Sequence, residues 1–125
     1  MIQFDANAFM MASQFRIDLF RELEGLTGTF EPVVLQEVVS ELRGIARGNG
    51  KHAAAARFGL AISERCRIVE GGDASGSVDE RIVSYAERHG GMVVTNDREL
   101  RDLLLSKNIP VISMKSKKKL DIFRS

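Results

Sequence analysis

The run Met92-Val93-Val94-Thr95 constrains this chain more than any other four residues. It is apolar without alternation, so both of its faces must be covered. A strand buried on both faces belongs inside a mostly parallel sheet flanked by helices. Three further apolar runs fit the same sheet: residues 2–4, Pro32-Val33-Val34-Leu35 and Ile109 to Met114. Cys66 to Glu70 reads as an edge strand, with Cys66 as a small buried hydrophobe.

Between these runs the apolar period changes to three and four. Phe9, Ala12, Phe15, Leu19, Leu23 and Leu26 predict one amphipathic helix, with Asn7 placed to cap its start. Met10 and Met11 beside this stripe read as core. Leu35, Val38, Val39, Leu42, Ile45 and Ala46 predict a second helix, Lys51 to Glu64 a third, Val78 to His89 a fourth ended by Gly90-Gly91, and 98–107 a fifth. Gly71 to Ser77 reads as a mobile loop by composition. The order β-α-β-α-α-β-α-β-α-β predicts a three-layer α/β/α open parallel sheet. In such sheets ligands bind beyond the carboxyl ends of the strands, so function is sought where strands end.

At 125 residues the chain is expected to form one domain, 1–125. One cysteine excludes a disulfide framework and a four-cysteine zinc site. No apolar run approaches the ~18 residues of a membrane span, and the opening Met-Ile-Gln-Phe-Asp has no basic leader. These features together point to a cytoplasmic protein without a membrane partner. The net charge of +1 hides an asymmetry. Residues 98–125 carry eight basic and three acidic side chains, whereas 1–97 carry ten basic and fourteen acidic. The basic C-terminal segment at 115–125 is expected to be a solvated tail or a polyanion contact.

Dinucleotide, phosphate-loop and nucleophile-elbow motifs are missing, and His52 and His89 have no neighbours that would make a zinc pair. Carboxylates remain. Asp5 and Asp97 each follow an apolar strand, Asp79 lies in the first turn of a helix, and Glu37 and Glu41 are one turn apart on another. Taken singly, these are ordinary turn, cap or surface residues. Glu37 reads as a surface carboxylate paired with Arg16, Arg43 or Arg47, whereas Glu41 borders the apolar stripe. Taken together they repel: two such charges ~5 Å apart at an effective dielectric of ~20 cost ~3 kcal/mol. Oxygen-only ligands select hard cations such as Mg²⁺ or Mn²⁺, which act on phosphoryl oxygens. Arg98, Arg101, Lys115, Lys117, Lys118 and Lys119 are placed to hold a polyanionic backbone nearby.

These residues resemble the PIN-domain (PilT N-terminus) nuclease family, of the small single-domain prokaryotic or archaeal type, over almost the whole chain. The carriers are Phe4-Asp5-Ala6-Asn7-Ala8-Phe9, Val33-Val34-Leu35 with Val38-Val39-Ser40-Glu41-Leu42, Asp79-Glu80-Arg81-Ile82, Val93-Val94-Thr95-Asn96-Asp97-Arg98-Glu99-Leu100 and Ile109-Pro110-Val111-Ile112. The resemblance implies a quartet of Asp5, Glu41, Asp79 and Asp97 that binds one or two Mg²⁺ or Mn²⁺ and hydrolyses RNA, with Asn7 and Thr95 orienting the ligands. It implies the first strand beside the fourth, and a homodimer. Ala6 departs from the family's usual Thr and removes a hydroxyl contact. Glu37 and Glu80 are acidic stand-ins. Two subgroups fit: the toxin of VapBC-type toxin–antitoxin pairs, with an antitoxin partner, and small archaeal relatives of ribosome-processing nucleases in RNA and rRNA processing. Glu41-Leu42-Arg43-Gly44 and Lys117-Lys118-Lys119-Leu120 lean toward the second.

Two other classes compete. A response-regulator receiver would use Asp5, Asp73, Thr95 and Lys115, but its adjacent acidic pair is absent at Asp5-Ala6. A non-catalytic RNA-binding module would share the fold, yet a binder of phosphates gains nothing from four negative charges.

Overall fold

Ile2, Gln3 and Phe4 are all fully buried, so the first strand has no solvent face and must lie in the middle of the sheet. The computed structural model, which describes residues 1–71 and 76–125, places it there. The elements run β1 (Ile2–Phe4), α1 (Ala6–Gln14), α2 (Leu19–Thr27), β2 (Pro32–Leu35), α3 (Gln36–Ala46), α4 (Gly50–Ser63), β3 (Arg67–Val69), α5 (Val78–His89), β4 (Met92–Val94), α6 (Arg98–Ser106), β5 (Val111–Ser116) and β6 (Lys119–Phe123). The six strands lie in the order β3-β2-β1-β4-β5-β6. The first five are parallel, with Phe4 level with Val34 on one side and Val94 on the other. The chain winds from β1 through β2 to β3, then crosses to the far side of β1 for β4. That reversal opens a crevice between the ends of β1 and β4. The three-layer α/β/α architecture is the expected one, and β3 is the edge strand expected near Cys66. Residues 72–75, with Asp73 and most of the expected glycine-rich loop, lie outside the described residues.

Two elements differ from the sequence expectation. The helix expected over residues 9–26 is two helices. Arg16 adopts a left-handed backbone at φ 52°, and Asp18 caps α2 by accepting from the Arg21 amide at 3.2 Å. The apolar stripe survives this break because Leu19 and Leu23 still face the core, so periodicity alone could not reveal it. An aspartate ahead of an apolar helical turn was the available signal. The second difference is at the C-terminus. The lysines are not a tail: β5 and β6 form an antiparallel hairpin with Lys117 and Lys118 at its turn. Burial of Leu120 between exposed Lys119 and half-buried Asp121 closes this strand onto the sheet.

Helices α1 and α4 pack closely at one point. A Cβ on Gly59 would lie 2.9 Å from the Phe9 Cβ and 3.2 Å from its carbonyl carbon. Phe9 is fully buried and stacked on Phe4, with ring centroids 5.0 Å apart, so it cannot retreat. Gly59→Ala is expected to lower unfolding free energy by about 1–3 kcal/mol through overpacking. A urea midpoint unchanged from wild type would show that the packing yields without cost.

Candidate acidic active site

The Asp5 backbone is extended at φ −89° and ψ 174°, and its side chain caps α1. Asp5, and not Asn7 as expected, fills this role. Asp5 Oδ1 accepts from the Ala8 amide at 2.7 Å, and Oδ2 accepts from the Thr95 hydroxyl. Thr95 is fully buried just past the end of β4, and its oxygen in turn accepts from the Asp97 amide at 3.0 Å. One hydroxyl therefore joins the two aspartates at the crevice between β1 and β4. Asp97 itself caps α6, with Oδ1 accepting from the Leu100 amide at 3.1 Å. Asp97 is exposed, whereas Asp5 is buried.

Burial pushes the Asp5 carboxyl up to about 7. The hydrogen bonds from Thr95 and Ala8 oppose that rise, and the charges of Asp79 and Asp97 add to it. Asp79, half-buried in the first turn of α5, is also raised, by burial and then by Asp97 and Glu99. Glu41 lies on the α3 surface with its carboxyl partly shielded, and it is raised by burial and by Asp79. The fold therefore gathers Asp5, Asp79, Asp97 and Glu41 within electrostatic reach, with Asp79 as the common neighbour. Among the described residues none of the four forms a salt bridge.

Glu37 is not part of this cluster. It pairs with Arg81 at 2.9 Å, and not with Arg16, Arg43 or Arg47. Glu80 is exposed, and its amide is capped by Ser77. Glu99 is the acidic neighbour that the sequence did not single out. Its place in the first turn of α6 made it read as an ordinary helix-start charge. Asn7 accepts from the Asn96 amide at 3.2 Å, and Asn96 Oδ1 accepts from Ser113 Oγ at 3.0 Å and the Met114 amide at 3.2 Å. This chain of bonds ties α1, the β4–α6 turn and β5 together. Asn96 and Ser113 thus help fix the turn that carries Asp97, a role visible only once β5 lies beside β4.

The expected cations fall into two groups. Arg98 is exposed at the start of α6, and Arg101 lies one turn on, 4.0 Å from Asp102 and over the Phe123 ring. Lys115, Lys117, Lys118 and Lys119 are exposed on the hairpin. Lys115 pairs with Asp121 at 3.6 Å, and Lys118 Nζ donates to the Phe15 carbonyl at 3.2 Å. Val94 is level with Ile112, and at ~3.3 Å per residue Ser116 stands about 13 Å beyond that level. The hairpin therefore projects at the same sheet edge as Asp5 and Asp97.

An all-carboxylate donor set with one buried carboxyl that pairs with no cation among the described residues suits a hard divalent cation in charge and in ligand type. Among the described residues no three of these side chains converge on one point as they stand. Glu41 and Asp97 are the two of the four that lie exposed at the surface.

A doubly flanked parallel sheet with carboxylates gathered at its switch point is the architecture of a PIN-type domain. Residues 2–117 match the family model described as PIN like domain, and the chain belongs to that family. It is 31% identical over 124 residues to Ribonuclease VapC4 of Methanocaldococcus jannaschii, covering 95% of this chain and 93% of that protein. It is 34% identical over 70 residues to Ribonuclease VapC9 of Archaeoglobus fulgidus, covering 56% of this chain and 50% of that one. Among solved structures, the PIN domain endonuclease Utp24 superposes with a TM-score of 0.79 at 25% identity, covering 99% of this chain and 91% of the other.

Asp5 also makes stability depend on pH. Its folded-state value lies above the ordinary one of 3.8, so between the two the folded chain holds a proton that the unfolded chain has released. Stability is greatest below about pH 4 on this account and falls as pH rises through about 7. Each unit of displacement is worth about 1.4 kcal/mol. Without divalent ions, wild type is expected to lose stability between about pH 4 and pH 7, and Asp5→Asn to lose distinctly less. Parallel urea-midpoint profiles for the two proteins would contradict the assignment of that loss to Asp5.

Proposed function

We propose that this chain is a Mg²⁺- or Mn²⁺-dependent ribonuclease of the VapC type, hydrolysing RNA phosphodiester bonds, with Asp5, Glu41, Asp79 and Asp97 holding the ion or ions. One observation carries the reading. Asp5 is buried at the switch point, beside Asp79 and Asp97, with no cation on it among the described residues. Ionising such a buried carboxyl is costly in the free protein, and a divalent ion would stabilise the ionised form. When bound, the ion supplies Lewis acidity toward a phosphoryl oxygen and acidifies a water.

The chain's own residues have separable tasks. The Ala8 amide and Thr95 hydroxyl hold Asp5 in one orientation, which makes it the fixed ligand. Asp97 spends Oδ1 on its helix cap and keeps Oδ2 for the site. Asn7 and Thr95 orient the two turns that bring these carboxylates together. Arg98, Arg101, Lys115, Lys117, Lys118 and Lys119 hold the RNA backbone as the strand passes the acidic edge. Both relatives found by sequence carry the VapC name, which favours a toxin held by an antitoxin over a role in ribosomal RNA processing.

Purified protein is expected to cleave single-stranded RNA with Mn²⁺ or Mg²⁺ and to stop on chelation. Asp5→Asn and Asp79→Asn should each lower the rate on the order of 100-fold or more while circular dichroism stays native. Equal cleavage by wild type and both variants would mark a contaminating nuclease and remove the assignment. In the same assay, Ala at Lys117, Lys118 and Lys119 should weaken RNA binding and flatten its salt dependence, by ~0.7 in log–log slope for each phosphate no longer neutralised. An unchanged slope would take the hairpin out of the RNA path.

A further inference from the structure

We infer that the Glu37–Arg81 ion pair is a brace that sets the spacing of Glu41 and Asp79 and thereby the affinity of the acidic cluster for its ion. The inference rests on the metal-dependent reading above. Glu37 and Glu41 lie one turn apart on α3 and so share a face. Asp79 and Arg81 lie two residues apart in α5. The Arg81 Nη1 to Glu37 Oε2 distance is 2.9 Å, and the two side chains are only 31% and 24% exposed. Among the described residues this is the one hydrogen bond or ion pair that joins α3 to α5. A second tie runs from Gln3 Nε2, buried in β1, to the Ile82 carbonyl of α5 at 3.2 Å. Helix α5 is thus fixed to β1, next to Asp5, and to α3, which carries Glu41. Asp79 lies within one turn of both anchors, on the N-terminal side of Arg81 and Ile82.

The brace has a load. The charge of Asp79 raises Asp5 and Glu41, and the charges of Asp97 and Glu99 raise Asp79, so each of these carboxylates is within charge reach of Asp79. Before an ion arrives, that repulsion drives α5 away from α3. A half-buried ion pair resists it better than an exposed one, because water screens it less. Glu37 has a second effect: it keeps the Arg81 guanidinium occupied, so that cation is not free to neutralise the carboxylates an ion must find charged. Gly71 closes on the pair. A Cβ there would lie 2.8 Å from Glu37 Oε2 and 3.6 Å from Arg81 Cβ and Cδ. The absence of a side chain at Gly71 is what lets the pair sit where it does.

Mn²⁺ titration by calorimetry, alongside metal-free urea unfolding, tests this. Glu37→Gln and Arg81→Met are each expected to weaken Mn²⁺ binding on the order of 10-fold, the low end of the loss seen when groups that directly support metal ligands are removed. Metal-free unfolding should stay cooperative, with a midpoint lowered only modestly by loss of the half-buried pair. Arg81→Lys should keep most of the affinity, and Gly71→Ala, with every charge in place, should shift it in the same direction as Glu37→Gln. Mn²⁺ affinities within twofold of wild type in Glu37→Gln and Arg81→Met would overturn the brace and leave the metal reading standing. Loss of the metal-free fold in both would make the pair a plain structural strut and overturn the inference. A wild-type protein that takes up no Mn²⁺ would overturn the metal reading, and the brace with it.

Discussion

The parallel pairing of β1 with β4 is the constraint on which the rest of this structure depends. It sets Phe4 level with Val94 and brings the Asp5 amide to the Val94 carbonyl. The residues that follow these strands are then neighbours across a crevice. Thr95 can reach Asp5 only in this register, and a slip of β4 by one residue would turn Thr95 to the other face of the sheet. The cost is a carboxylate buried in the middle of the molecule. The surrounding apolar core, with Phe4, Phe9, Val34, Val94 and Ile112 all fully covered, offsets that cost and holds the register.

Much of this was legible in the chain. The sheet could be read from its apolar runs, because a strand buried on both faces cannot hide its composition. Asp5, Asp97 and Asp79 could be read from their places at strand ends and a helix start, and Glu41 from its place beside an apolar helical stripe and from the family resemblance. The break between α1 and α2 could not, since Leu19 and Leu23 keep the spacing of an unbroken helix while Arg16 turns the chain. The C-terminal hairpin was masked by its lysines, whose charge outweighs the alternation in Lys119 to Phe123. The partner of Glu37 lay forty-four residues away at Arg81, and no local pattern announces such a pair. The same holds for Asn96 and Ser113, which meet only after the sheet has formed.

The net charge of +1 acquires a meaning from this geometry. The acidic surplus of residues 1–97 includes the clustered carboxylates, and the basic surplus of 98–125 stands partly on a hairpin beside them. On the metal-dependent reading, one divalent ion offsets two of those negative charges, and the edge that RNA approaches becomes cationic. The near-neutral sum is then a cancellation between a metal site and a phosphate-binding wall, not a sign that nucleic acid is the wrong partner.

The most direct test of this account is where a divalent ion sits. Anomalous diffraction from crystals grown with Mn²⁺ should show a peak at the switch point, with an Asp5 carboxylate oxygen and an oxygen of Asp79 or Asp97 each about 2.1 Å from it. Glu41 and Asp97 should have turned inward from their surface positions. A map with Mn²⁺ bound elsewhere, and Asp5 still held only by Ala8 and Thr95, would contradict the account.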